Sequence, residues 1–178
     1  MVKKASKAIS GEIHPGLITW LDMPAVGHEF GASTLVFLDF DGVLHPLHDR
    51  HTQPFRDLPR FEAVMRRVPA ASVVITSSQR EDRTLGELRA LFAADIAPRI
   101  VGVTPVLPIA NAEDLPGSRY REILAFLEAH PRAEEGAWVA VDDDAILYPT
   151  GLANLLLCGD DGFGPREASR LARMLAGL

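Results

Sequence analysis

Lysine, cysteine and long apolar runs are scarce in this 178-residue chain. Its three lysines, Lys3, Lys4 and Lys7, all lie in the polar start, so a cation needed deeper in the chain has to come from another residue type. The single cysteine, Cys158, cannot close an internal disulfide. Within NLLLC it reads as a small buried apolar residue in a reducing interior. No apolar stretch approaches the roughly 20 residues of a membrane-spanning helix. No continuous apolar segment follows the basic start MVKKASKAIS, as a secretory signal would require. A cytoplasmic location without a membrane partner is therefore expected. Internal repeats and low-complexity tracts are also absent. The 47% hydrophobic composition excludes a disordered chain, and the length suits one domain with a full core. A net charge of −6 gives no global attraction to nucleic acid, so a polyanionic partner would need a local basic patch.

What is present concentrates first in LVFLDFDGVLHP, residues 35 to 46. An apolar run that ends in two acids one residue apart reads as a buried strand carrying Asp39 and Asp41 to a sheet edge. Ligands of α/β proteins collect at such edges. Gly42 supplies the backbone freedom for a sharp turn there. A lone aspartate at a strand end often only caps a turn. A second cluster, Asp142, Asp143 and Asp144, follows another apolar run, AWVAV, and changes the balance. Four or five carboxylates brought together are costly without a cation, and an all-oxygen ligand set points to Mg²⁺. A third run, ASVVI, ends in Thr76, Ser77 and Ser78, followed by Gln79 and Arg80. Hydroxyls, backbone amides and a guanidinium suit a phosphate, although the same residues also suit a helix cap or a turn.

Between these runs the pattern alternates as a parallel sheet requires. Leu58, Phe61, Met65 and Val68 recur at helical spacing, and Thr84 with Glu87 forms a capping box before Leu85, Leu88, Leu91 and Phe92. A strand is expected over 99–103 and a helix from Ser118 to His130-Pro131. A last helix begins at Gly164-Pro165, with Leu171, Met174, Leu175 and Leu178 on one face. Arg50, Arg56, Arg60, Arg66 and Arg67 form either a basic patch or, more simply, a solvated helix face. His45, His48 and His51 read as exposed loop histidines rather than a transition-metal site.

These motifs resemble the haloacid dehalogenase (HAD) superfamily of phosphohydrolases with an aspartate nucleophile. LDFDGVL corresponds to its first motif, VVIT to its second and VAVDD to its fourth, in the right order over roughly residues 33 to 160. The run VVITSSQR, then VGVTP, then SRYREI before a DD strand is most similar to the branch found in RNA-repair polyproteins. That branch often carries an aromatic residue where this chain has Gln79. The third-motif lysine is missing, and Arg119 stands in its place, with Arg121 as second choice. An arginine keeps the charge but grips an oxyanion as a planar fork rather than as a point charge.

The resemblance implies a Rossmann-like three-layer α/β sandwich with a mainly parallel central sheet, over a single catalytic domain at 31–178. Independently of the resemblance, an N-terminal extension is expected over 1–30, with Trp20 and Leu21 expected to pack back onto the domain. The resemblance implies Asp39 as nucleophile, Asp41 as acid and base, and Thr76, Ser77, Gly42 and Arg119 as phosphate-binding positions. Arg80 and Arg121 would contact substrate. Mg²⁺ would be held by Asp39, the Asp41 carbonyl, and Asp142 or Asp143. Because Asp41 is present, phosphate-ester hydrolysis is expected over dehalogenation. Neither the 44–70 gap nor the 81–117 gap has room for a cap domain, though the loop from His45 to His51 can form a small flap. An open site favours large phosphorylated substrates, including a nucleic-acid end. The rival readings are a small-metabolite phosphatase, a phosphotransferase, a HAD-fold binding module that has lost catalysis, and a Rossmann-like nucleotide binder. The last lacks the glycine fingerprint after the first strand, and acids there would repel a pyrophosphate.

Overall fold

A computed structural model describes residues 34–130 and 137–177. The extension over 1–30, with Trp20 and Leu21, lies outside the described residues, as do Pro131 and Leu178. Five strands, Leu35–Leu38 (β1), Ser72–Ile75 (β2), Ile100–Val103 (β3), Trp138–Asp142 (β4) and Leu155–Leu157 (β5), form one sheet in the order β3-β2-β1-β4-β5. All four of its ladders are parallel. The helices are Leu58–Arg67 (α1), Leu85–Arg89 (α2), Ser118–Ala129 (α3) and Pro165–Ala176 (α4).

Strand side chains alternate between faces, and both faces here are covered, which is why the strands read as continuous apolar runs. Val36, Leu38, Val73, Ile75, Val139 and Val141 pack with Phe61 and Met65 of α1 and Leu171 and Leu175 of α4. On the other face Leu35, Phe37, Val74 and Ala140 meet Ile123, Phe126 and Leu127 of α3. Each large side chain so buried contributes about 1.5–3 kcal/mol. The expected three-layer sandwich is thus present, with an all-parallel sheet. The 44–70 gap holds α1 and a helical turn at Leu47–Asp49, and the 81–117 gap holds α2, β3 and two helical turns. Neither contains a cap domain.

The helix expected to carry Leu91 and Phe92 is shorter than the pattern suggests. Its capping box forms, but after Arg89 the amides of Leu91 and Phe92 bond back only three residues. The Ala93 amide donates to Glu62 Oε1 at 2.7 Å, which ends the helix while leaving Phe92 in the core.

The chain runs from β1 outward through β2 to β3, then crosses back to β4 on the other side of β1. A crevice therefore opens beyond the carboxyl ends of β1 and β4, the position where α/β sheets bind ligands.

Candidate active site

Strand register sets the site. Leu38 is level with Ile75 on one side and Val141 on the other, so the next residues, Asp39, Thr76 and Asp142, stand in a row across three adjacent strand ends. The Thr76 amide donates to Leu38 O at 2.9 Å and the Asp39 amide to Val141 O at 3.0 Å, which fixes that row. Beyond Asp39 the chain turns sharply, with the Val43 and Leu44 amides both returning to Phe40 O. Gly42 sits at φ 74°, and a Cβ there would fall 1.9 Å from Asp143 Oδ2, so only glycine lets the two acidic segments close on each other.

Asp39, Asp142 and Asp143 each offer an oxygen within 4.8 Å of the others. Burial, then the charge of Asp142, raises the Asp39 carboxyl to about 7, and the same two causes raise Asp143 to about 6. Asp142 is raised as well, chiefly by burial. Three carboxylates that resist ionising together form a site that a cation would relieve, and an all-carboxylate set fits the hard ion Mg²⁺. Asp142 is held by the Tyr148 hydroxyl, which donates to Oδ2 at 2.8 Å, and by the Asp144 amide on Oδ1 at 3.0 Å.

Arg119 reaches into this cluster from the first turn of α3. Its guanidinium lies 3.8 Å from Asp39, 3.6 Å from Asp142 and 3.5 Å from Glu122. Burial pulls its pKa down, but these three carboxylates outweigh burial and leave it net raised, so it stays cationic. None of the three separations is a close bidentate pairing. Arg119 Nε is buried without a hydrogen-bond partner, and so is Thr76 Oγ1. Unsatisfied buried donors are rare and costly. Two of them, on residues flanking Asp39, suit an anionic oxygen between them.

Residues 35–161 match the family model described as the HAD domain in Swiss Army Knife RNA repair proteins. The chain belongs to this HAD family. No curated protein and no solved structure matches it. Within this HAD domain, the structure brings Asp39, Thr76, Arg119, Asp142 and Asp143 together, while other expected contacts sit differently. Ser77 is fully buried, and its Oγ accepts from the Gln79 amide as the cap of a helical turn, which leaves Thr76 as the free hydroxyl. Arg80 is buried, donates to the carbonyls of Thr76, Ser77, Thr104 and Pro105, and pairs with Glu122 at 2.7 Å. It ties together the loops that follow β2 and β3. Arg121 donates to the carbonyls of Asp114 and Pro116, on the far side of its helical turn from Arg119.

The arginines after the first motif are largely spent on local ion pairs. Arg56 meets Asp49 and Asp57, Arg60 meets Asp57, and Arg66 meets Glu62 and Asp95. Among the histidines, His48 and His51 are exposed as expected, but His45 is only 2% exposed and lies 3.1 Å from Asp41. That expectation fails because Leu44 and Pro46 are buried on either side of it, so the loop's first residues are core and not flap. Leu47 and His48 do border a groove with Gly42, Asp143 and Asp160. From the sequence His45 reads only as part of an exposed loop, and Glu122 and Tyr148 carry no reading. The available signals were spacing alone: His45 four residues after Asp41, and Glu122 three after Arg119.

Proposed function

We propose that this HAD domain is a Mg²⁺-dependent phosphohydrolase that works through an aspartyl-phosphate on Asp39, in an open site suited to large phosphorylated substrates such as nucleic-acid ends. The observation that carries the reading is the row of Asp39, Thr76 and Asp142, with unpartnered donors on Thr76 and Arg119 beside the nucleophile position. Asp39, Asp142 and Asp143 would hold the ion. When bound, Mg²⁺ screens the anionic nucleophile from the anionic phosphate. An Asp39 carboxylate oxygen attacks phosphorus, which splits one displacement into two easier ones. Asp41 gives a proton to the leaving oxygen and later takes one from the attacking water. Thr76 Oγ1 and the Arg119 guanidinium hold the transferring oxygens.

Support for a large substrate comes from the absence of a cap between the motifs, from exposed apolar side chains in nearby loops, among them Leu47 and Ile146, and from the RNA-repair context in the family's description. With no closing domain, binding energy has to come from contacts outside the phosphate pocket. The deciding experiment is a phosphatase screen with Mg²⁺ across nucleotides, sugar phosphates, phosphopeptides and terminally phosphorylated oligonucleotides. Wild-type activity should disappear in Asp39→Asn with the fold intact, and an oligonucleotide should exceed the matching mononucleotide in kcat/KM. Activity within about tenfold of wild type in Asp39→Asn would remove the nucleophile assignment. Equal or better turnover of mononucleotides or sugar phosphates would replace the macromolecular substrate with a small metabolite.

A further inference from the structure

The side chain of Asp41 does not join the acidic cluster. Its Oδ1 lies 3.1 Å from Nε2 of the buried His45. On the other side of that ring, the Phe55 backbone amide donates to Nδ1 at 3.2 Å. A backbone N–H can only donate, so Nδ1 must be the acceptor and the ring proton sits on Nε2, where it can only be given to Asp41. The tautomer is therefore dictated by the backbone.

Phe55 holds an unusual conformation to do this. It is the one non-glycine residue at positive φ among the described residues, at 57°, a conformation that is strained for a bulky side chain and persists only where its surroundings enforce it. Its ring stands edge-on to His45 (5.3 Å, 89°) and to Phe40 (5.6 Å, 81°), and Phe40 is the residue between the two motif acids. Phe55 thus grips both the histidine and the turn that carries Asp39 and Asp41.

We propose that His45 is a positioning residue that, with its tautomer set by the Phe55 amide, engages Oδ1 of Asp41 and leaves Oδ2 as the oxygen that moves protons. The inference rests on the phosphohydrolase reading. As Asp39 forms its bond to phosphorus and the leaving oxygen's bond breaks, the Oδ2 proton passes to that oxygen. In the second step water attacks phosphorus and gives its proton to Oδ2, and the Asp39–phosphorus link breaks. Protons and electron pairs balance over the cycle without another reactant. A carboxyl free to rotate would present the wrong oxygen in part of the population and slow only the steps that need the proton.

The test compares His45→Gln, which keeps a donor near the Nε2 position, with His45→Asn and His45→Leu, which do not. Each is assayed on a nitrophenyl phosphate, whose leaving group departs without protonation, and on an alkyl phosphate, which needs it. Asn and Leu should lower kcat/KM for the alkyl ester by roughly tenfold to a hundredfold and for the nitrophenyl ester by less than about threefold, with Gln restoring most of the difference. The retained nitrophenyl activity shows that the variants fold. Equal losses on both esters, or a Gln variant no better than Leu, would overturn the positioning role. Nitrogen-15 NMR of the wild-type imidazole supplies an independent readout, and a proton on Nδ1 would also overturn it. A wild-type protein that turns over neither ester nor a terminally phosphorylated oligonucleotide would instead count against the phosphohydrolase reading, while the NMR result would still decide the tautomer.

Discussion

Arg119 carries the heaviest demand of any single residue, because it stands where the family's lysine is expected. Its guanidinium touches none of its three carboxylate neighbours at close hydrogen-bond range, and its Nε has no partner. Such a group is positioned but not spent, which is the condition for stabilising charge that appears only during the reaction. Arg119→Ala should lower kcat/KM by roughly a hundredfold or more, equivalent to about 3 kcal/mol of transition-state stabilisation, and Arg119→Lys should recover part of it. Steady-state kinetics on one ester measure both. A near-neutral Arg119→Ala would show that Arg119 does not take the missing lysine's role. Glu122 matters at the same scale, since it lies between Arg119 and Arg80 and keeps two buried cations compatible.

Among the elements, the ends of β2 and β3 are joined by Arg80 as well as by their own parallel ladder. Four carbonyls from the two strand ends converge on one guanidinium, and Glu122 from α3 neutralises it. Ser77 O also accepts from the Arg80 backbone amide, but the Thr76, Thr104 and Pro105 carbonyls rely on the guanidinium. Arg80→Met fills similar volume but leaves those carbonyls and part of the Glu122 charge uncompensated. It should cost about 3 kcal/mol, read as a lower urea midpoint at unchanged slope. A loss below about 1 kcal/mol would mean that the loops hold themselves and the clamp is incidental.

At the scale of the whole molecule, a chain of net charge −6 gathers three of its acids at one sheet edge. Asp39 is raised from its ordinary 3.8 to about 7 and Asp143 to about 6, each mainly by burial and next by Asp142. For a carboxyl raised on folding, the stabilising contribution is complete below the unfolded value near 4. It is lost as pH climbs through the folded value, since the native state must then hold anions that the unfolded chain leaves in water. Without divalent metal, the Tm should therefore fall by several degrees between about pH 5 and pH 8. Saturating Mg²⁺ should reduce the fall, because an ion that binds only the folded state stabilises it by mass action. Differential scanning fluorimetry with and without EDTA checks both signs. A Tm indifferent to Mg²⁺ across this range would argue that the acid cluster holds no metal.

The sequence by itself determined where the strands end and which residues ride on their ends, because a run of four or five apolar residues, too short for a helix and bounded by turn residues, suits a strand covered on both faces, and the first polar residue after it marks the sheet edge. Asp39, Thr76 and Asp142 were legible for that reason, and helical spacing, proline and capping signals likewise marked the start of α1, the span of α3, the start of α4 at Pro165 and the capping box at Thr84. Tertiary structure alone decided which cation meets the acids. Arg80, Arg119 and Arg121 carry the same charge and similar neighbours in sequence, and only the strand register and the placement of α3 bury Arg80 under carbonyls, turn Arg121 to its own loop and bring Arg119 to Asp39. His45 was misread for a related reason. Local sequence marks a loop, but whether a loop residue is exposed depends on what packs on it, and here the strained Phe55 stands against the ring while the neighbouring Leu44 and Pro46 are themselves buried.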